Sequence, residues 1–160
     1  MSERDTSTSP SKPDEWAVTH SNELASAFRV QAAALLEQLD GDARTSCDPD
    51  PPEDRIFVAE AEADHPVGRI RLIFGDREFE VRTSIRPAGR PWSIDLAYYL
   101  RAMGEDTEAV TDSMWIDSVE RLATVIEAQG VGLRACLNQL AVDPERWWRA
   151  ADALRRADEQ

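Results

Sequence analysis

Apolar and polar positions alternate through two adjacent stretches near the middle of the chain. Gly68, Ile70, Leu72 and Phe74 alternate with Arg69, Arg71 and Ile73. After Gly75-Asp76 the pattern resumes, with Phe79, Val81, Thr83 and Ile85 set against Glu78, Glu80, Arg82 and Ser84. A period of two marks half-buried strands. Gly-Asp between two such runs predicts a two-residue hairpin turn, which places Leu72 opposite Phe79, Ile70 opposite Val81 and Arg71 opposite Glu80. Arg69 then faces Arg82, a like-charge pair relieved only by the flanking Glu62. The run from Arg55 to Ala63 supplies a preceding strand. With Asp64–Val67 as a four-residue loop, Phe57 faces Phe74, Ala59 faces Leu72 and Ala61 faces Ile70. Glu60 and Glu62 then meet Arg71 and Arg69 on the opposite face. A three-residue loop would turn both glutamates into the core, where an unpaired carboxylate is costly, and is rejected on that ground.

Outside these strands the apolar spacing is helical. Leu24, Phe28, Ala32, Leu35, Leu36 and Leu39 form a stripe over a helix expected from Asn22 to Asp40, capped by Ser21 or Asn22 and ended by Gly41. Gly41–Asp54 reads as a loop. Ser93 opens a helix to Met103 that ends at Gly104. Ser113 opens another to Gln129, with Trp115, Val119, Leu122 and Ile126 as its stripe and Gly130 as its terminator, followed by a short helix from Leu133 to Leu140. Asp143-Pro144-Glu145 combines a cap, a first-turn proline and an N-terminal acid. It starts a last helix carrying Trp147, Trp148, Ala151 and Leu154, with Arg155 and Arg156 near its C-terminal end. Residues 1–15 are dominated by Ser, Thr, Pro and charge and are expected to be a disordered tail. Residues 16–158 are expected to form a single α+β domain: an N-terminal helix, a three-stranded antiparallel meander, then three or four C-terminal helices packed on one sheet face.

Charge changes this picture. Against 18 Lys and Arg stand 31 Asp and Glu, a formal net charge of −13. The acids are concentrated. Nine fall between Asp40 and Asp64, and six between Glu105 and Glu120 with no base among them. Such surfaces repel nucleic acid and anionic membranes and attract basic macromolecules. No run approaches the ~20 apolar residues of a membrane span. The two cysteines, Cys47 and Cys136, lack any paired spacing and read as reduced thiols, which predicts a cytoplasmic protein.

Catalytic chemistry has little footing. Neither His20 nor His65 has a ligand at metal-binding spacing. The acidic run from Asp48 misses a calcium-loop pattern twice, with Glu53 where glycine is needed and Ala59 where glutamate is needed. There is no nucleophile elbow and no phosphate-cradling loop. Arg69, Arg71 and Arg82 suggest a phosphate strip, but Glu60, Glu62, Glu78 and Glu80 interleave with them, so a ladder of ion pairs is expected instead. Trp147 and Trp148 diverge by about 100° on their helix, and Trp148 is assigned to a partner. The expectation is a small, acidic, non-enzymatic binding protein without cofactor or metal, engaging a basic protein partner through Asp48, Asp50, Glu53, Asp54, Glu105, Asp106, Glu108, Asp112 and Trp148. Immunity proteins and secretion chaperones are comparable in size and charge. The alternative is a small enzyme with a carboxylate site in a cleft between sheet and helices. A buried, perturbed Asp or Glu in a pocket would favour it.

Overall fold

The computed structural model describes residues 15–39, 42–47, 58–75 and 79–160. Their order is α1 (Glu15–Gln38), β1 (Asp42–Cys47), β2 (Val58–His65), β3 (Gly68–Gly75), β4 (Glu80–Pro87), β5 (Ile94–Asp95), α2 (Leu96–Met103), α3 (Glu108–Thr111), α4 (Val119–Val142) and α5 (Pro144–Asp158). The protein is α+β, with an open, five-stranded antiparallel sheet in chain order between an N-terminal helix and the C-terminal helices.

The alternation does what its period demands. Ala59, Ala61, Ala63, Ile70, Leu72, Phe74, Val81, Thr83 and Ile85 are buried on one face. Phe28 of α1 meets that face, its ring 5.6 Å from Phe74. Each fully buried Leu or Phe contributes about 1.5–3 kcal/mol. Small alanines on β2 let α1, which packs over β1 and β2, approach closely. Several polar groups within the core are paired. Tyr99 donates its hydroxyl to the Ile85 carbonyl (3.0 Å). Thr83 donates to Gln129 Oε1 (2.7 Å), and Gln129 Nε2 donates to the Val110 carbonyl (2.9 Å).

Several expectations are corrected. The sheet has five strands rather than three. β1 occupies part of the expected loop and pairs with β2, from Asp42 with Asp64 to Cys47 with Ala59. It carries no apolar alternation because it is an edge strand held by backbone pairing, with Arg44 reaching Glu62 and Asp64. β5 is a short pairing of Ile94 with Ile85, ahead of the helix expected from Ser93. The helix expected at Asn22 begins at Glu15, since Ser and Asn in a helix interior cost only a few tenths of a kcal/mol. The tail expected over residues 1–15 lies outside the described residues except for Glu15. The proposed cap at Gly41 also lies outside them.

Both hairpins keep the expected faces but slide along them. Ala59 pairs with Phe74, Ala61 with Leu72 and Ala63 with Ile70, and His65 opposite Gly68 leaves only Pro66-Val67 as the turn. His65 Nδ1 accepts the Val67 N–H (3.1 Å), closing a turn tighter than the expected four residues. Phe57 lies outside the described residues. At the other hairpin Gly75 pairs with Glu80, Leu72 with Thr83 and Ile70 with Ile85, so the connection is longer than Gly75-Asp76. Phe79 belongs to that connection and stands edge-on to Phe74, with ring centroids 6.4 Å apart. Displacement by an even number of residues conserves the buried face, so the hydrophobic pattern alone cannot distinguish these registers.

The C-terminal half differs in its helix starts. Ser113 does not cap a helix. Ser118 does, its side chain accepting the Arg121 N–H (3.0 Å), and α4 then runs without a break through Gly130 and Gly132. Those glycines serve close packing. A Cβ on Gly132 would stand 2.8 Å from Val110 Cγ1 and 3.2 Å from Leu100 Cδ1, and one on Gly130 would stand 2.7 Å from Leu35 Cδ1. Asp143 caps α5 as expected, accepting the Arg146 N–H (3.2 Å).

These contacts separate the two glycines. Gly132→Val forces a branched side chain against packed neighbours and should destabilise by about 1–3 kcal/mol. Gly130→Ala meets side-chain ends, chiefly the methyls of Leu35, and gains about 1 kcal/mol of helix propensity, so it should cost less than Gly132→Val. Urea unfolding midpoints of the two variants check this, and equal midpoints would refute the packing role assigned to Gly132.

Candidate functional site

Between α3 and α4 the chain crosses residues 112–118 without regular structure. It is nevertheless held tightly. The Val81 N–H donates to the Ser113 carbonyl (3.1 Å), and the Ile116 N–H donates to the Phe79 carbonyl (2.9 Å). This loop thus satisfies backbone groups at the end of β4 that β5, pairing only with Ser84 and Ile85, does not reach. Arg121 holds the outer side, with Nη2 at 3.0 Å from Asp112 Oδ1 and 3.4 Å from the Met114 carbonyl. Ser113 and Ile116 are buried by these contacts.

Trp115 lies between them. Its backbone is left-handed (φ 58°), and the residue is 65% exposed. Phe79, whose carbonyl accepts the Ile116 N–H, has φ 46°, and among the described residues these are the only non-glycines with positive φ. A bulky residue in that region costs about 1–2 kcal/mol. The loop therefore holds an indole in water on a strained backbone.

The carboxylates assigned to a partner divide into groups. Asp48, Asp50, Glu53 and Asp54 lie outside the described residues. Glu105, Asp106, Glu108 and Asp112 are exposed, on the stretch that leads from the left-handed Gly104 cap of α2 through α3 into the Trp115 loop. Asp112 is bound to Arg121. Asp106 Oδ1 accepts the Glu108 N–H (3.0 Å), and Glu105 Oε2 accepts from Gln139 (3.4 Å). Among the described residues, Glu105, Asp106, Glu108, Asp117 and Glu120 form no ion pair. The acids of the sheet differ: Glu60 binds Arg71 (2.9 Å), Glu62 binds Arg44 (3.2 Å), and Asp64 binds Arg44 and Arg69 (3.3 Å each). The acidity of β2 is thus locally compensated, and that of residues 105–120 largely is not.

Trp148 is only 9% exposed. Its ring lies 5.5 Å from Trp92, its Nε1 donates to the Trp92 carbonyl (3.2 Å), and Arg90 sits over it at 5.8 Å. Trp92 in turn donates Nε1 to buried Asp152 (3.0 Å), which also binds Arg155 (2.8 Å) and Arg156 (3.2 Å). Both indole N–H groups are therefore engaged in joining α5 to the segment before β5. Trp115 is the aromatic residue the sequence reading misplaced, on a helical stripe. Ser118 followed by Glu120 is the helix-start signal that would have excluded it from a helix.

Other chemistry is sparse. Burial pushes the Cys136 thiol up to about 12, which removes it as a nucleophile at neutral pH. Among the described residues no three His, Cys, Asp or Glu side chains stand together to hold a metal ion. Asp95 lines a cleft of about 140 Å³ with Arg82, Thr83, Thr111, Ser113 and Gln129. Burial raises its carboxyl above the usual value, and Arg82 partly opposes this. No family model, curated protein or solved structure matches the chain.

The Asp152 cluster has a defined pH signature. Burial alone would raise the Asp152 carboxyl, but hydrogen bonds from Arg155 and Trp92 and the charges of Arg155 and Arg156 outweigh it and hold it low. The unfolded chain then binds the proton more readily, so this stabilisation is present above about pH 4 and is lost as pH falls through the lower folded value. Asp152→Asn should cost about 1–3 kcal/mol at pH 7 and flatten the loss of stability below pH 4, as read by denaturant titrations across that range. An unchanged acid slope would refute the assignment.

Proposed function

We propose that this is a non-enzymatic binding protein that engages a basic protein segment through Trp115 and the carboxylates flanking it, Glu105, Asp106, Glu108 and Asp117. The carrying observation is Trp115 itself: an indole 65% exposed, on a left-handed backbone, in a loop fastened to the core on both sides. Aromatic residues of this kind are frequent energetic centres of interfaces. A rigid loop loses little entropy on docking. The acids along the same stretch select a cationic partner and accelerate its approach. An immunity protein that blocks a basic toxin and a chaperone of a basic secreted protein both fit this chemistry, acting in the cytoplasm.

The full-length chain, titrated calorimetrically with an arginine- and leucine-rich probe peptide, should bind more weakly by about tenfold or more between low and high salt. Trp115→Gly should abolish most of the binding while leaving stability unchanged or raising it by up to ~1 kcal/mol, because glycine relieves the left-handed strain. Salt-independent binding, or full affinity in the glycine variant, would overturn the reading.

Asp95 favours a second reading, a small enzyme using a carboxylate in the cleft between sheet and helices. Because folding raises this carboxyl, its ionised form opposes stability at neutral pH. Asp95→Asn should therefore raise the unfolding midpoint at pH 7 more than at pH 3. Equal effects at both would remove the physical basis of that reading.

A further inference from the structure

At one end of the sheet the β2–β3 turn meets the turn that follows β4. Ala88 donates its N–H to the Val67 carbonyl (3.0 Å), and Arg90 donates its own to the Pro87 carbonyl (3.0 Å) around Gly89, whose φ is 81°. Gly68 lets the two turns touch, since a Cβ there would stand 2.2 Å from the Arg86 carbonyl oxygen. The junction borders an open cavity of about 440 Å³ whose lining includes Asp64, His65, Arg69, Arg86 and Arg90.

The charge in this cavity opposes the rest of the molecule. In a chain of net charge −13, three arginines, Arg69, Arg86 and Arg90, line one recess beside a single carboxylate, Asp64. Arg69 and Arg86 are direct cross-strand partners, an arrangement that destabilises a strand pair. Arg69 has a counter-ion in Asp64 (3.3 Å), which it shares with Arg44. Among the described residues, Arg86 and Arg90 have no carboxylate partner, and Arg90 turns one face to Trp148. His65 adds a donor. Its Nδ1 accepts the Val67 N–H, so in the neutral ring Nε2 carries the proton.

We infer that this cavity is an anion site for a phosphoryl group, with Arg86 and Arg90 as its principal ligands and Arg69 and His65 beside them. Guanidinium forks match phosphate oxygens in pairs, and an incoming dianion would relieve the repulsion between Arg69 and Arg86. The recess is open to solvent, so a phosphomonoester of a small molecule fits it as well as inorganic phosphate does. Nucleic acid is disfavoured by the surrounding net negative charge. The inference is independent of the Trp115 surface.

The test is titration of the full chain with inorganic phosphate and, separately, phosphoserine, with serine and chloride at matched ionic strength as controls. Amide resonances of the non-proline residues within 65–69 and 86–90 report the site. Saturable shifts with both phosphates at millimolar concentration, absent with serine and chloride, are expected. Tighter binding of phosphoserine than of phosphate identifies a monoester site, and the reverse identifies a free-phosphate site. Arg86→Gln/Arg90→Gln should weaken binding at least tenfold. The single variant Arg86→Ser should raise the apo unfolding midpoint by removing the like-charge pair, a gain that phosphate erases by stabilising only the parent chain. Shifts of equal size in the parent and the double variant, or no saturable shift in the parent, would overturn the inference.

Discussion

The sheet has one covered face and one wet face, and that division decides where every charged group can lie. Ala59, Ala61, Ala63, Ile70, Leu72 and Phe74 lie against the helical layer at no more than 1% exposure. Each residue between them must then point to solvent, because successive side chains of a strand leave opposite faces. The outer face becomes a grid in which Asp64, Arg69 and Arg86 occupy one row and Glu62, Arg71 and Ser84 the next. Most of its charges neutralise one another there. The exception is the row end at Arg86, because the one acid of β4, Glu80, lies at the other end of the strand and pairs with Arg82.

This explains why β2, rich in acid by composition, does not present a free acidic surface. Its carboxylates are met by arginines one strand away on either side, Arg44 of β1 and Arg69 and Arg71 of β3. Such exposed pairs each contribute only ~0.2–1 kcal/mol, but they cancel the long-range field of the strand. Composition counts charges without their neighbours. The stretch from Glu105 to Glu120 behaves differently because only Arg121, just beyond it, supplies a described guanidinium partner, and it reaches only Asp112.

How much could be read from the chain follows from which forces were local. The parity of β2, β3 and β4 was legible because carboxylates cannot share a face with Ile70 and Leu72. Their register was not, because sliding by an even number of residues leaves every side chain on its proper face. β1 was illegible because Asp42–Cys47 is held by backbone pairing at an edge and carries no apolar alternation. α4 was divided at Gly130 because glycine usually ends helices. Here the tertiary requirement, contact with Leu35, Val110 and Leu100, overrides a propensity of about 1 kcal/mol. Glu105, Asp106 and Glu108 were legible as an exposed acidic stretch. Trp115 was not, since its placement depends on hydrogen bonds to β4 and Phe79, far away in sequence.

Trp115 is also where local and global demands conflict most openly. The turn between the Ser113 carbonyl and the Ile116 N–H needs one residue with positive φ, and glycine or asparagine would supply it without strain. Tryptophan adds a strain of about 1–2 kcal/mol and an apolar ring left in water. Neither improves folding. Trp92, the other strongly exposed indole among the described residues, differs because its Nε1 is fastened to Asp152 and its ring to Trp148, so its position serves the fold. Among the described residues no such contact accounts for the ring of Trp115. A residue that fits its backbone poorly and packs against so little is the observation on which the proposed encounter with a cationic partner rests, and the acids on the same stretch supply the charge preference that proposal invokes.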